Sequence, residues 1–302
     1  MSASSGIDLH GLWVPIVTPF DEKLEVDVDG LARLAGRILD DGATGLVVLG
    51  TTGEPATLTA EERELVVATC AGVCREQGRS FIVGAGSNST WATVDEVARW
   101  ATLAPDAAAV LVVVPYYTRP LEQGVVEHFR AVAAASPLPV VVYNIPYRTG
   151  RGLGADSLVE LAATPGIVGV KQAVGALDRD TLAVLRDAPD GFHVLAGDDA
   201  FVAPVVLMGG AGAIAASANV ATSLFVELVA AGIAGDIATT QRLAADLLAV
   251  VDAGFAEPSP AVFKAALHAR GEIATPSVRA PLTPASPSAT EAIRAALGPV
   301  LR

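Results

Sequence analysis

Lys171 interrupts the apolar run Ile167-Val-Gly-Val-Lys-Gln172, and only two other lysines, Lys23 and Lys264, occur among the 20 basic residues of this 302-residue chain. Burying an ammonium is costly, so a lysine inside such a run has a snorkelling path to water, an acidic partner or a chemical task. The task would be nucleophilic. An ordinary lysine is the free amine in about one molecule in a few thousand at neutral pH, and apolar surroundings raise that fraction. Such an amine condenses with a ketone to a Schiff base. Lys23, in a polar loop, and Lys264, in the C-terminal part of the chain, read as ordinary lysines.

All four tyrosines, Tyr116, Tyr117, Tyr143 and Tyr147, lie at the ends of two successive apolar runs. Packing alone would account for them, because phenols suit half-buried positions. A phenol also donates and accepts a proton, which imine formation and carbon–carbon bond chemistry both need. Tyr143 precedes Asn144 at a predicted strand end and is placed to face the same cavity as Lys171. In Gly50-Thr-Thr-Gly-Glu54 the glycines let backbone N–H groups converge on an anion, and Thr51 and Thr52 add hydroxyl donors. A plain strand-to-helix turn uses the same residue types. Arg148, in Tyr143-Asn-Ile-Pro-Tyr-Arg-Thr-Gly150, offers a planar fork matched to a carboxylate, or is a surface arginine on a loop.

These groups need elements to hold them. Runs rich in Val, Ile and Leu predict strands over 12–17, 45–50, 81–86, 109–115, 139–145, 167–172, 193–197 and 213–216. They are apolar at nearly every position, the pattern of parallel strands covered on both faces. Amphipathic stretches over 29–39, 60–77, 93–103, 123–135, 157–163, 178–187 and 200–208 predict the helices between them, with a capping box formed by Thr59 and Glu62. The α/β alternation predicts a (β/α)₈ barrel over residues 1–232, with functional groups at the C-terminal strand ends. Gly84-Ala-Gly86 lacks the third glycine of a dinucleotide fingerprint. Helical patterns over 236–253, 261–269 and 289–297 make residues 233–302 a small helical appendage.

Composition narrows the function. With 52% hydrophobic and 18% charged residues the chain cannot be disordered by charge. A net charge of −13 and a pI near 4.7 argue against a nucleic-acid surface. Met1 to His10 has neither a basic nor an apolar leader region, so no secretory signal is expected. Residues 200–226 carry no charge and are long enough to span a bilayer. Pro204, Gly209, Gly210, Gly212 and Asn219 break them, so the expectation is a cytoplasmic protein without a membrane span. Two cysteines exclude a disulfide scaffold. Cys70 and Cys74, one helical turn apart, read as core thiols rather than metal ligands. His10, His193 and His268 show no zinc spacing, Asp198 and Asp199 read as polar lining of the barrel mouth, and Trp13, Trp91 and Trp100 as packing residues.

Taken together, Gly50-Thr-Thr-Gly-Glu54, Tyr116-Tyr-Thr-Arg-Pro120, Tyr143 to Gly150, Gly169-Val-Lys171 and Gly197-Asp-Asp199 resemble the class I aldolase family of dihydrodipicolinate synthase and N-acetylneuraminate lyase. The likeness runs from Gly11 to Pro284. It implies a barrel with a C-terminal helical domain, assembled as a homotetramer of two tight dimers. It also implies that Lys171 forms a Schiff base with pyruvate and that Tyr143 moves the proton. Thr51 would link Tyr143 to Tyr117, which in this family enters the neighbouring subunit's site. Thr51 and Thr52 would hold the pyruvate carboxylate, with Gly197 and Ile214 nearby. Arg148 would bind the carboxylate of L-aspartate-4-semialdehyde.

Thr51 and Arg148 match the synthase branch, whose product is 4-hydroxy-tetrahydrodipicolinate and whose chemistry needs neither metal nor organic cofactor. Gln172, Val174 and Pro55 depart from the synthase pattern. They keep open a related aldolase or dehydratase acting on a 2-keto-3-deoxy sugar acid or a 4-hydroxy-2-oxo acid. A non-catalytic binding barrel is the remaining reading. Ala60, Arg63 and Ala92 stand where lysine-sensitive synthases carry their effector side chains, which implies weak or no inhibition by L-lysine.

Overall fold

A computed structural model describes residues 7–300. Eight parallel strands close into a barrel in sequence order. They are β1 (Gly11–Pro15), β2 (Gly45–Val48), β3 (Ser80–Ala85), β4 (Ala109–Val113), β5 (Val140–Asn144), β6 (Ile167–Gln172), β7 (His193–Ala196) and β8 (Gly212–Ile214). The last seam pairs Gly11 with Gly212 and Trp13 with Ile214. Glycine is required there: a Cβ on Gly212 would lie 1.9 Å from the carbonyl oxygen of Gly11.

Each strand is apolar on both faces because each face packs against something different. Trp13, Val47, Ile82, Leu111, Val141, Tyr143, Leu195 and Ile214 fill the barrel interior. Their neighbours Leu12, Val14, Leu46, Val48, Val110, Val112, Val140 and Val142 pack outward under the helices. This two-residue period decides which side chains can reach the mouth.

The helices follow the amphipathic stretches. Ala60–Glu76 starts with the predicted capping box: Glu62 N–H donates to Thr59 Oγ1 at 3.2 Å, and Thr59 N–H to Glu62 Oε2 at 2.9 Å. Cys70 and Cys74 are free and buried on its inner face, and burial raises both thiol pKa values, Cys74 to about 12. Several strands end earlier than their apolar runs. The chain leaves the ladder for short turns at Thr51–Gly53, Asp199–Phe201 and Ala216–Asn219, which shape the mouth. A one-turn helix, Pro146–Thr149, carries Tyr147 and Arg148 and was not visible in the periodicity.

After Thr222–Ile233, three helices follow: Ile237–Gly254, Ala261–Ala269 and Pro287–Val300. Leu243, Leu247, Phe263, Ile293 and Leu297 from these helices belong to the same apolar cluster as the outward strand faces. The uncharged stretch 200–226 is divided among two helices, β8 and a turn, and among the described residues no helix is long and apolar enough to cross a membrane. The leader region read from Met1 to His10 lies partly outside the described residues. Trp13 and Trp100 are buried as expected. Trp91 is not: at the start of helix Thr90–Leu103 it is 81% exposed, where the helical pattern alone could not tell which face looks outward.

Candidate active site

Lys171 and Tyr143 are register partners on the adjacent strands β6 and β5, so both point into the barrel near the C-terminal strand ends. Lys171 Nζ lies 4.3 Å from the centroid of the Tyr143 ring. Burial pulls the lysine pKa down to about 8, while Asp199 and Asp198 partly oppose the shift. Roughly one Lys171 in ten is then the free amine at neutral pH, several hundredfold more than for an exposed lysine. Burial pushes the Tyr143 phenol up to about 12, and the nearby Thr51 side chain works against it. Tyr143 is therefore a neutral O–H group beside the amine, able to give and take back a proton.

The two acids that face Lys171 are held by backbone donors. Asp199 accepts the N–H groups of Ala216 at 3.1 Å and Ser217 at 2.6 Å, and Asp198 accepts that of Gly175 at 2.5 Å. Burial still raises both carboxyl pKa values. Beyond the polar-lining reading, Asp199 ties the end of β7 to the turn after β8, and Asp198 ties it to the loop after β6.

Above these residues opens a cavity of about 1360 Å³. Thr51, Tyr117, Tyr143 and Arg148 line it. Lys171, Thr52, Gly197 and Ile214 are not on its wall. Lys171, Thr52 and Ile214 are buried, and Gly197 is half-buried against the lysine stem. A Cβ at Gly197 would stand 2.9 Å from Lys171 Cγ and 2.8 Å from Ala173 Cβ, so only glycine leaves the lysine its present rotamer. Arg148 is exposed at the rim, with its Nε donating to the Tyr147 hydroxyl at 3.0 Å.

Tyr117 is not joined to Thr51 within one chain. It is 86% exposed, and its φ of 71° is unusual for a residue with a side chain. Its N–H donates to Thr149 O at 3.3 Å.

Gln172, one of the departures from the synthase pattern, sits away from the cavity. It follows Lys171, so the strand period turns it away from the cavity. Asn144 Nδ2 donates to its Oε1 at 3.0 Å, and its Nε2 donates to Thr181 Oγ1 at 3.2 Å. Neither Gln172 nor Val174 lines the cavity.

Two groupings escaped the sequence. Lys264 is not an ordinary lysine. It is fully buried and its Nζ is 2.5 Å from Glu54 Oε1, across 210 residues of sequence. Its place in the apolar run Ala261-Val-Phe-Lys-Ala-Ala-Leu267 was the available signal. At the opposite end of the barrel, Asp8, His10 and His193 come together. There His10 Nδ1 lies 2.6 Å from Asp8 Oδ1, and His193 Nε2 lies 3.1 Å from Ile7 O, contacts that tie the chain entering β1 to the start of β7.

The profile of the dihydrodipicolinate synthetase family matches residues 8–299. The chain is 39% identical to the 4-hydroxy-tetrahydrodipicolinate synthase of Polynucleobacter asymbioticus over 98% of its own length and 96% of the relative's. It is 41% identical to the synthase of Moorella thermoacetica, with 93% and 95% of the two chains covered. Among solved structures, the dihydrodipicolinate synthase of Thermotoga maritima superposes with a TM-score of 0.92 at 34% identity, covering 96% of this chain and 98% of that one.

Proposed function

Because this chain belongs to the dihydrodipicolinate synthetase family, we propose that it is a Schiff-base-forming lyase condensing pyruvate with L-aspartate-4-semialdehyde to 4-hydroxy-tetrahydrodipicolinate. The observation that carries this reading is the register-matched pair Lys171 and Tyr143, in which burial frees the amine and keeps the phenol neutral.

In the reaction, the neutral Lys171 amine adds to the ketone carbon of pyruvate. Loss of water leaves the imine, with Tyr143 passing the protons that the oxygen and nitrogen exchange. The imine withdraws electrons from the adjacent methyl group, which loses a proton to give the enamine. The enamine carbon attacks the aldehyde of the second substrate, and Tyr143 supplies a proton to the developing alkoxide. The amino group of that substrate then adds to the imine carbon and expels Lys171 as the free amine, closing the ring. One water is released overall.

The Gly50–Glu54 turn is suited to the pyruvate carboxylate, with Thr51 and Thr52 as hydroxyl donors. Arg148, exposed at the rim, is suited to the carboxylate of the aldehyde partner. Tyr117, displayed outward on a positive-φ residue, fits donation to the Thr51–Tyr143 pair of a second copy in a homotetramer of two tight dimers. Localisation in the cytoplasm accords with this activity.

Borohydride reduction in the presence of pyruvate tests the reading directly. A stable adduct is expected on the peptide that contains Lys171, and an unmodified peptide would refute the Schiff base. A coupled assay with L-aspartate-4-semialdehyde, run beside a panel of keto-sugar acids, then tests the partner. The Tyr143→Phe variant should retain the pyruvate adduct while losing turnover by roughly 10²–10⁴-fold, the usual worth of a positioned acid–base group.

A further inference from the structure

Glu54 closes the turn that carries Thr51 and Thr52, and it does so in an unfavourable conformation. Its N–H donates to Thr51 O at 3.2 Å, and its backbone is left-handed, with φ 55° and ψ 39°. A residue with a Cβ takes that geometry at a cost, so something must hold it there. The C-terminal segment does. Glu54 Oε1 accepts from Lys264 Nζ at 2.5 Å, and Oε2 accepts from the Arg279 backbone N–H at 3.0 Å. Lys264 Nζ also donates to Ser277 O at 2.9 Å and lies 4.0 Å from the centroid of the Phe20 ring.

The rest of the turn is fastened from the same side. Arg279 Nη1 donates to Thr57 O at 2.9 Å and to Glu62 Oε2 at 2.6 Å. From β1's side, Thr18 Oγ1 donates to Gly53 O at 2.7 Å. The ion pair itself is almost without solvent contact, its side chains exposed by 0% and 1%. Stability alone does not account for such a pair, because apolar residues of similar volume hold a core equally well. A directional contact that fixes one backbone geometry does account for it.

The geometry points to Glu54 and Lys264 as a positioning pair, which holds the Thr51 hydroxyl against Tyr143 and makes the C-terminal helices a working part of the active site. This inference rests on the proposed function for its kinetic consequence, but not for its structural one. Neither residue is a catalytic residue: each acts through the turn.

Glu54→Gln keeps the shape of the side chain and places an amide donor against Lys264 or the Arg279 N–H. The variant is expected to lose kcat by roughly 10–100-fold, the scale of a reacting group displaced by a fraction of an ångström to an ångström. In the Thr51→Val background the same substitution should cost less than about twofold, because the group it positions is already gone. A merely structural role would multiply the two losses. Independently of activity, deuterium uptake across residues 50–58 should accelerate in Glu54→Gln, with the rest of the barrel unchanged.

Lys264→Met serves as the second variant with both readouts. The proposal is overturned by kcat within about twofold of the parent, by losses that multiply with Thr51→Val, or by unchanged uptake across 50–58. It also falls if neither variant folds, for the pair would then be a folding element. If the unaltered protein neither traps pyruvate nor turns over, the proposed function fails instead, and the uptake experiment still decides the fate of the turn.

Discussion

The protein buries two lysines, and burial pulls the ammonium pKa of each down to about 8. Lys264, in the seam between the barrel and the C-terminal helices, meets Glu54, a carbonyl and an aromatic face. Lys171, beneath the mouth, meets the Tyr143 ring and sees Asp198 and Asp199 only through charge. On the proposed function, the contrast means that removal from water does not by itself make an amine a nucleophile. A carboxylate in direct contact keeps the proton and uses the lysine as a strut. Carboxylates already occupied by backbone N–H groups leave the nitrogen lone pair accessible once the proton departs.

The largest expected effect separates the two by chemistry. Lys171→Ala should abolish the borohydride adduct and cut turnover by several orders of magnitude, whereas Lys264→Met should keep the adduct. Turnover surviving in Lys171→Ala would end the comparison. The next effect separates them by stability. Lys264→Met leaves the Glu54 carboxylate buried without its partner, which should cost about 3–5 kcal/mol of unfolding free energy in urea titration. Adding Glu54→Gln should restore much of that loss, and a double variant as unstable as the single would show the two charges to be uncoupled.

A third prediction concerns pH. The reactive form of Lys171 is deprotonated, so kcat/KM for pyruvate should climb about tenfold per pH unit below the lysine pKa and level off above it. The bend should fall near pH 8. The same shift bears on stability with a definite sign. The unfolded lysine, with its ordinary pKa of 10.5, binds more protons than the folded one between about 8 and 10.5, so this group's contribution to stability rises with pH across that window. The smallest effect is local. Gly197→Ala pushes a methyl group onto the Lys171 stem and should lower turnover by roughly tenfold with the fold intact. Unchanged turnover would show that the lysine rotamer is free.

Much of this arrangement was legible in the residues. Apolar runs at a steady interval with amphipathic helices between them specify eight covered parallel strands, and the placing of Lys171 in one run and Tyr143 at the end of the run before it pointed to a shared cavity, although their exact register is a property of the folded sheet. The turn Gly50–Glu54 and Arg148 were ambiguous by residue type alone, and only the resemblance gave them a role at the mouth. What escaped depended on distance or direction. Glu54 and Lys264 are joined only when the C-terminal segment folds back over the mouth, which no local pattern encodes. Gln172 attracted notice as a departure from the family pattern, yet the strand period turns its amide toward Asn144 and Thr181, outside the cavity. Trp91 was assigned to packing because tryptophan usually is, and its helix turns it outward instead.

The pairing of Tyr143 with Lys171 across one rung of the sheet has a consequence for redesign. Neighbouring strands are spaced about 4.8 Å apart by their backbone hydrogen bonds, whatever the loops above them do. If the proposed roles hold, a library that rewrites the rim around Arg148 should exchange the acceptor aldehyde while the Lys171–Tyr143 spacing stays fixed.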